Sequence, residues 1–182
     1  MKKQKLISII LIILILILVG SIYTIKQNEL NIAIDLLEEK FYLGMKLIYP
    51  GPPYFEWSEE DLFIEDYQYK EIINYNDICN EFLTSNAKNY LDQKGCCLVW
   101  IENKPYITEG GGGFSGFGGV KFKNINITKD TIEADAIQTR IDMDDKYIGE
   151  WKMKFKIEKI DDKWKIDTLA DVEDIGVWQE CK

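Results

Sequence analysis

The sequence predicts an α+β domain behind an N-terminal apolar helix, with helices packed on a curved antiparallel β-sheet. Three observations predict it. An almost wholly aliphatic run fills residues 6–25. A helical period of apolar residues follows over residues 28–48 and again from residue 76. From residue 96 the period changes to two, with short polar turns between the runs. Helices first and antiparallel strands afterwards is the α+β order.

Residues 1–25 are a membrane anchor or a signal peptide. Lys2, Lys3 and Lys5 precede the run from Leu6 to Ile25, and no acid interrupts it. Twenty helical residues reach about 30 Å, the thickness of the hydrocarbon core. The lysines belong on the cytoplasmic side, so the rest of the chain leaves on the other. An uncleaved anchor gives a single-pass cell-membrane protein with its domain, residues 26–182, outside. Cleavage near Val19-Gly20-Ser21 would give a secreted one. No cysteine follows the run to carry a lipid anchor.

In residues 28–48, Leu30, Ala33, Ile34, Leu37, Phe41, Met45 and Ile48 fall on one stripe, with Asp35, Glu38 and Glu39 opposite. Pro50, Pro52 and Pro53 stop the helix. An aromatic loop with Tyr54, Phe55 and Trp57 follows, and Ser58 with Asp61 suggests a capped helical turn. Residues 67–73 read as a strand, and 76–83 as a helix continued by a turn or two over 84–91. The later strands are expected at 96–102, 105–108, 120–127, 131–141, 146–160 and 164–169. The clearest lies within 151–160, where Trp151, Met153, Phe155 and Ile157 alternate with Lys152, Lys154, Lys156 and Glu158.

Charge and composition narrow the function. Three of the 22 basic and none of the 31 acidic residues lie in residues 1–25, so the rest carries 19 against 31, a net −12. Unless its charge is segregated, such a domain repels nucleic acid and anionic surfaces, and the charge suits a basic partner or simply solubility. Histidine is absent, which removes Ser-His-Asp and Cys-His catalysis and histidine zinc sites. No catalytic residues, metal site or cofactor site are assigned. Cys79, Cys96, Cys97 and Cys181 read as small apolar packing residues or as one disulfide pair.

Seven glycines crowd residues 110–119. Gly111, Gly113 and Gly116 fit GxGxxG, yet a strand follows rather than the helix a dinucleotide site needs. Phe114 and Phe117 either anchor a partner from this loop or tuck into the core. Asp142–Asp145 lacks EF-hand spacing and reads as a hairpin turn. Lysines 152, 154, 156, 163 and 165 read as a solvated stripe, with teichoic-type phosphates as the functional alternative.

Two stretches resemble a known family. They are Tyr69-Lys70-Glu71-Ile72-Ile73 with Phe82-Leu83-Thr84, and Val99 through Tyr106 before the glycine-rich run. Together they resemble the IseA-type DL-endopeptidase inhibitors over roughly residues 65–170, and the element order resembles the NTF2-like cone more broadly. Asn103-Lys104-Pro105-Tyr106 stands where that family's pattern has Gly-Lys-Leu-Tyr. The resemblance implies an extracytoplasmic protein that plugs the groove of a secreted NlpC/P60-type peptidoglycan hydrolase. Tyr106, Glu109, Phe114 and Phe117 would be its partner-binding residues, with no chemistry of its own. The alternative is an NTF2-like small-molecule or lipid-binding domain with a pocket lined by Trp100, Trp151 and Phe155. An enzyme using Asp or Tyr in such a pocket is a further rival.

Overall fold

The computed structural model describes residues 2–48, 54–64, 67–94, 98–108, 117–141, 144 and 146–171. The chain divides into two units, residues 1–36 and 37–182.

The described residues of the first unit lie on helix α1, Lys2–Ile48, which holds a stretch apolar and long enough to cross a membrane or act as a signal helix. From Leu11 to Val19 every side chain is at least 50% exposed. So large an aliphatic surface calls for a lipid or translocon environment. Two of its hydroxyls bond back to the helix: Ser21 Oγ donates to the Ile17 carbonyl and Thr24 Oγ1 to that of Gly20, each at 2.9 Å. That arrangement costs little in hydrocarbon. The helix runs without a break through Lys26, Gln27 and Asn28, which are exposed.

The second unit holds two four-stranded antiparallel sheets where one curved sheet was expected. The first has the order β1-β2-β4-β3, from Trp57–Ile64, Tyr67–Ile72, Leu98–Ile101 (β3) and Lys104–Thr108 (β4). The second is a simple meander of β5 Phe117–Ile127, β6 Thr131–Ile141, β7 Tyr147–Ile160 and β8 Lys163–Asp171. Helices α2 Tyr75–Phe82 and α3 Ser85–Lys94 come between β2 and β3.

Strand β1 replaces the helical turn expected at Ser58. Asp61 does not cap a helix; it pairs with Lys70 across the β1–β2 hairpin. The Ser58 hydroxyl instead donates to the Glu60 carbonyl and accepts from the Glu71 N–H. The aromatic loop closes the core: Phe55 stacks on Tyr75 at 6.1 Å and Tyr54 meets Phe82 edge-on at 6.3 Å. Asn74 pins it, donating to the Tyr54 carbonyl and accepting from the Glu56 N–H.

In the second unit, Leu37, Phe41, Met45 and Ile48 of α1 are buried as their stripe predicts, and Glu38 and Glu39 are exposed. Phe41 lies edge-on to Phe155 at 5.4 Å and to Phe122 at 6.0 Å. The sheet makes room by pairing large residues with small ones: Phe122 faces Ala136, and Phe155 faces Ala134. Further along, a Cβ on Gly44 would stand 3.0 Å from Leu169 and 3.2 Å from Ile166, so glycine lets the helix approach β8.

Two hairpins use the tight turn that suits twisted strands. Asp161 and Asp162 take φ of 50° and 61° between β7 and β8. Between β3 and β4 the turn falls on Glu102 and Asn103, at 51° and 65°, one residue earlier than expected. Asn103 thus occupies the conformation that glycine accepts most easily. Glutamate is poorly suited to it. Glu102→Asn should therefore raise stability by about 0.5–1 kcal/mol, read as a higher urea midpoint with an unchanged slope.

Candidate functional site

Among the described residues a concavity lies between the end of α1, helix α3 and β8. It has a volume of about 80 Å³. That is several times the roughly 10–15 Å³ one water needs by this measure. Leu47, Ile48, Leu91, Ile166 and Leu169 make its wall apolar, while Asn86, Tyr90, Asp167 and Thr168 supply polar groups.

Asp167 reaches this place through a β-bulge. Lys156 pairs with Thr168 and Ile157 with Ile166, so Asp167 is the extra residue of β8. The bulge turns Ile166, Asp167 and Leu169 into buried positions, breaking the alternation. Thr84 Oγ1 donates to Asp167 Oδ1 at 2.9 Å. Lys156 Nζ donates to Oδ2 at 3.0 Å and Thr168 Oγ1 to Oδ2 at 3.2 Å. Burial alone would push this carboxyl upward, but the bonds from Lys156, Thr84 and Thr168 outweigh it and hold Asp167 below the usual carboxylate range. Both oxygens are engaged, so Asp167 acts as an anchor between the α2–α3 link and β8 rather than as a free base. The backbone repeats the link: Leu83 bridges Ile166 in parallel, and the Thr84 N–H donates to the Ile166 carbonyl at 2.8 Å.

A second cluster surrounds Tyr75. Its hydroxyl donates to Asp92 Oδ1 at 2.6 Å, Lys88 pairs with Asp92 Oδ2 at 2.7 Å, and Trp100 lies edge-on at 5.7 Å. Cys79 is a free thiol, fully buried beside it, which corrects any disulfide through Cys79 and fits small apolar packing. Burial pushes this thiol up to about 11, with Tyr75 and Lys88 opposing only in part. Such a thiol is inert as a nucleophile at neutral pH. The other three cysteines lie outside the described residues.

Of the predicted contact residues, Tyr106 is half-buried on β4, paired with Val99 and with Glu71. Phe117 begins β5 opposite Arg140, in the other sheet. Glu109 and Phe114 lie outside the described residues, as does the side chain of Phe117. The pocket expected from Trp100, Trp151 and Phe155 is not assembled. Trp100 belongs to the first sheet, Trp151 carries Arg140 over its ring at 4.3 Å, and Phe155 is sealed under Phe41. The lysine stripe is largely tied up: Lys154 pairs with Asp135, Lys156 with Asp167, and Lys165 donates to the Asn80 carbonyl. Reading these lysines as a solvated face missed those partners, which come from other strands and from α2.

No family model matches the chain, and no curated protein matches it.

Proposed function

We propose that this protein is an extracytoplasmic inhibitor of cell-wall DL-endopeptidases of the NlpC/P60 type. It is held at the membrane by residues 6–25 and acts by occluding the active-site groove. One observation carries the most weight: the glycine-rich segment joins two different sheets. The strand ends that flank it are fixed by pairing, Thr108 with Tyr69 and Phe117 with Arg140. A glycine-rich connection between two anchored strand ends suits a groove-filling element. The acidic domain complements a basic wall-bound hydrolase, and opposite charge speeds encounter. Uncleaved anchoring is supported by a helix that runs without a break past Gly20 and Ser21. The role requires no catalysis by the chain itself.

The test is a turbidity assay of peptidoglycan digestion by a secreted NlpC/P60 endopeptidase, with the full chain added in mild detergent. Stoichiometric, saturable inhibition is expected. Phe114→Ala with Phe117→Ala should weaken it by about tenfold or more if these rings are the anchors. Unchanged inhibition in that variant would remove the loop assignment, and no inhibition of several such enzymes would remove the function.

The cavity beside Asp167 favours a second reading, a small-molecule-binding domain. Its size suits a short apolar group better than a lipid chain. Native mass spectrometry of the purified chain distinguishes this reading by a retained small molecule.

A further inference from the structure

We propose that the outer edge of β1, over its regularly paired stretch from Asp61 to Ile64, is a docking site for a cationic polypeptide segment that adds to the sheet as an extra strand. Three features of this hairpin meet there. First, β1 ends its sheet, and among the described residues no strand pairs with its outer side. The pairing with β2 is regular from Asp61 to Ile64 and broken between Trp57 and Asp61. A bulged stretch resists strand addition, so the usable edge is the regular one.

Second, that edge is apolar where solvent would favour polar groups. Phe63 is 69% exposed, Tyr67 59% and Ile64 40%. Ile64 and Tyr67 are direct cross-strand partners and share one face, while Phe63 points to the other. An added strand beside β1 would cover Ile64 on one face and Phe63 on the other, with Tyr67 behind Ile64 on the neighbouring strand.

Third, the charge selects the partner. From Glu56 to Ile72 the sequence holds seven acids and one lysine, half the net charge of everything beyond residue 25. That lysine, Lys70, is already shared with Asp61 at 3.6 Å. A second copy of this chain would bring two such hairpins together at an electrostatic cost, and an anionic lipid surface would be repelled. A strand rich in lysine or arginine gains both the ladder hydrogen bonds and the opposite charge.

The probe is a fluorescein-labelled peptide of about ten residues alternating lysine and valine, titrated with the full chain in detergent micelles at low salt and followed by anisotropy. Binding should be saturable. It should weaken by about tenfold or more with Phe63→Ser plus Tyr67→Ser, exposed positions whose replacement leaves the fold intact. It should weaken equally when alternate peptide amides are N-methylated, because the ladder is then lost. Equal binding of the methylated peptide would reduce the effect to bulk charge and overturn the proposal. So would equal binding to the double variant, or no binding at all. Self-association of the chain that disappears in the double variant would assign the edge to a second copy instead.

Discussion

Phe41→Ala should destabilise the second unit by about 3–5 kcal/mol, the range for removing a buried phenylalanine. The side chain is fully buried, and its ring lies edge-on to two others that stack on each other at 6.3 Å. Edge-to-face packing adds to the area term, and alanine forfeits both. The void cannot close easily. The residues paired with Phe122 and Phe155 are Ala136 and Ala134, which have no side chain to swing into it. A domain of this size is stable by only about 5–15 kcal/mol, so the loss is a large fraction. All five tryptophans lie beyond residue 36, so urea unfolding followed by tryptophan fluorescence reports on this unit. Tyr42→Ala, at a position 36% exposed, is the control and should cost far less. A shift in Phe41→Ala no larger than the control's would mean that the helix does not seal this core.

The same residues show what the sequence made legible. Phe41 stood out because a helix that packs on one side repeats its apolar residues every three or four positions. Strand β7 stood out because one face of it is buried, and β6 was bounded correctly because polar turns flank it. Strand β1 was invisible for a physical reason. Glu59, Glu60 and Asp61 show no alternation, because the ladder is broken just before Asp61 and neither face is deeply buried. The division into two sheets was equally hidden. It depends on β4 pairing with β2 instead of β5, a choice made by contacts distant in sequence.

The candidate site was less legible than the fold. Aromatic side chains invite the guess of a pocket, yet Trp100, Trp151 and Phe155 each found another aromatic or cationic partner. The cavity instead formed where Gly44 lets helix α1 approach and where a bulge turns Asp167 inward. Neither is marked locally: Thr84 and Asp167 are 83 residues apart, and their bond is created by the fold. In the sequence Asp167 continues the polar phase set by Lys165, so nothing local marks it as buried.

That bond sets up the second large effect. Asp167→Ala should cost about 2–4 kcal/mol near neutral pH, because it leaves the Thr84 hydroxyl without its acceptor and Lys156 without its principal counter-charge. The cost should depend on pH in a defined way. The folded value of Asp167 lies below the ordinary 3.8, so its contribution is present above that value and is lost as pH falls through the folded one. Lys156 is shifted the other way, chiefly by its bond to Asp167, above the ordinary 10.5. Its contribution is full below 10.5 and is lost as pH rises through the folded value. The gap between the wild-type chain and the variant should therefore be flat across the neutral range and narrow at both extremes. Urea midpoints measured across pH test this directly. A gap that stays constant into strong acid would mean that packing at the bulge, and not the charge on Asp167, ties the α2–α3 link to β8.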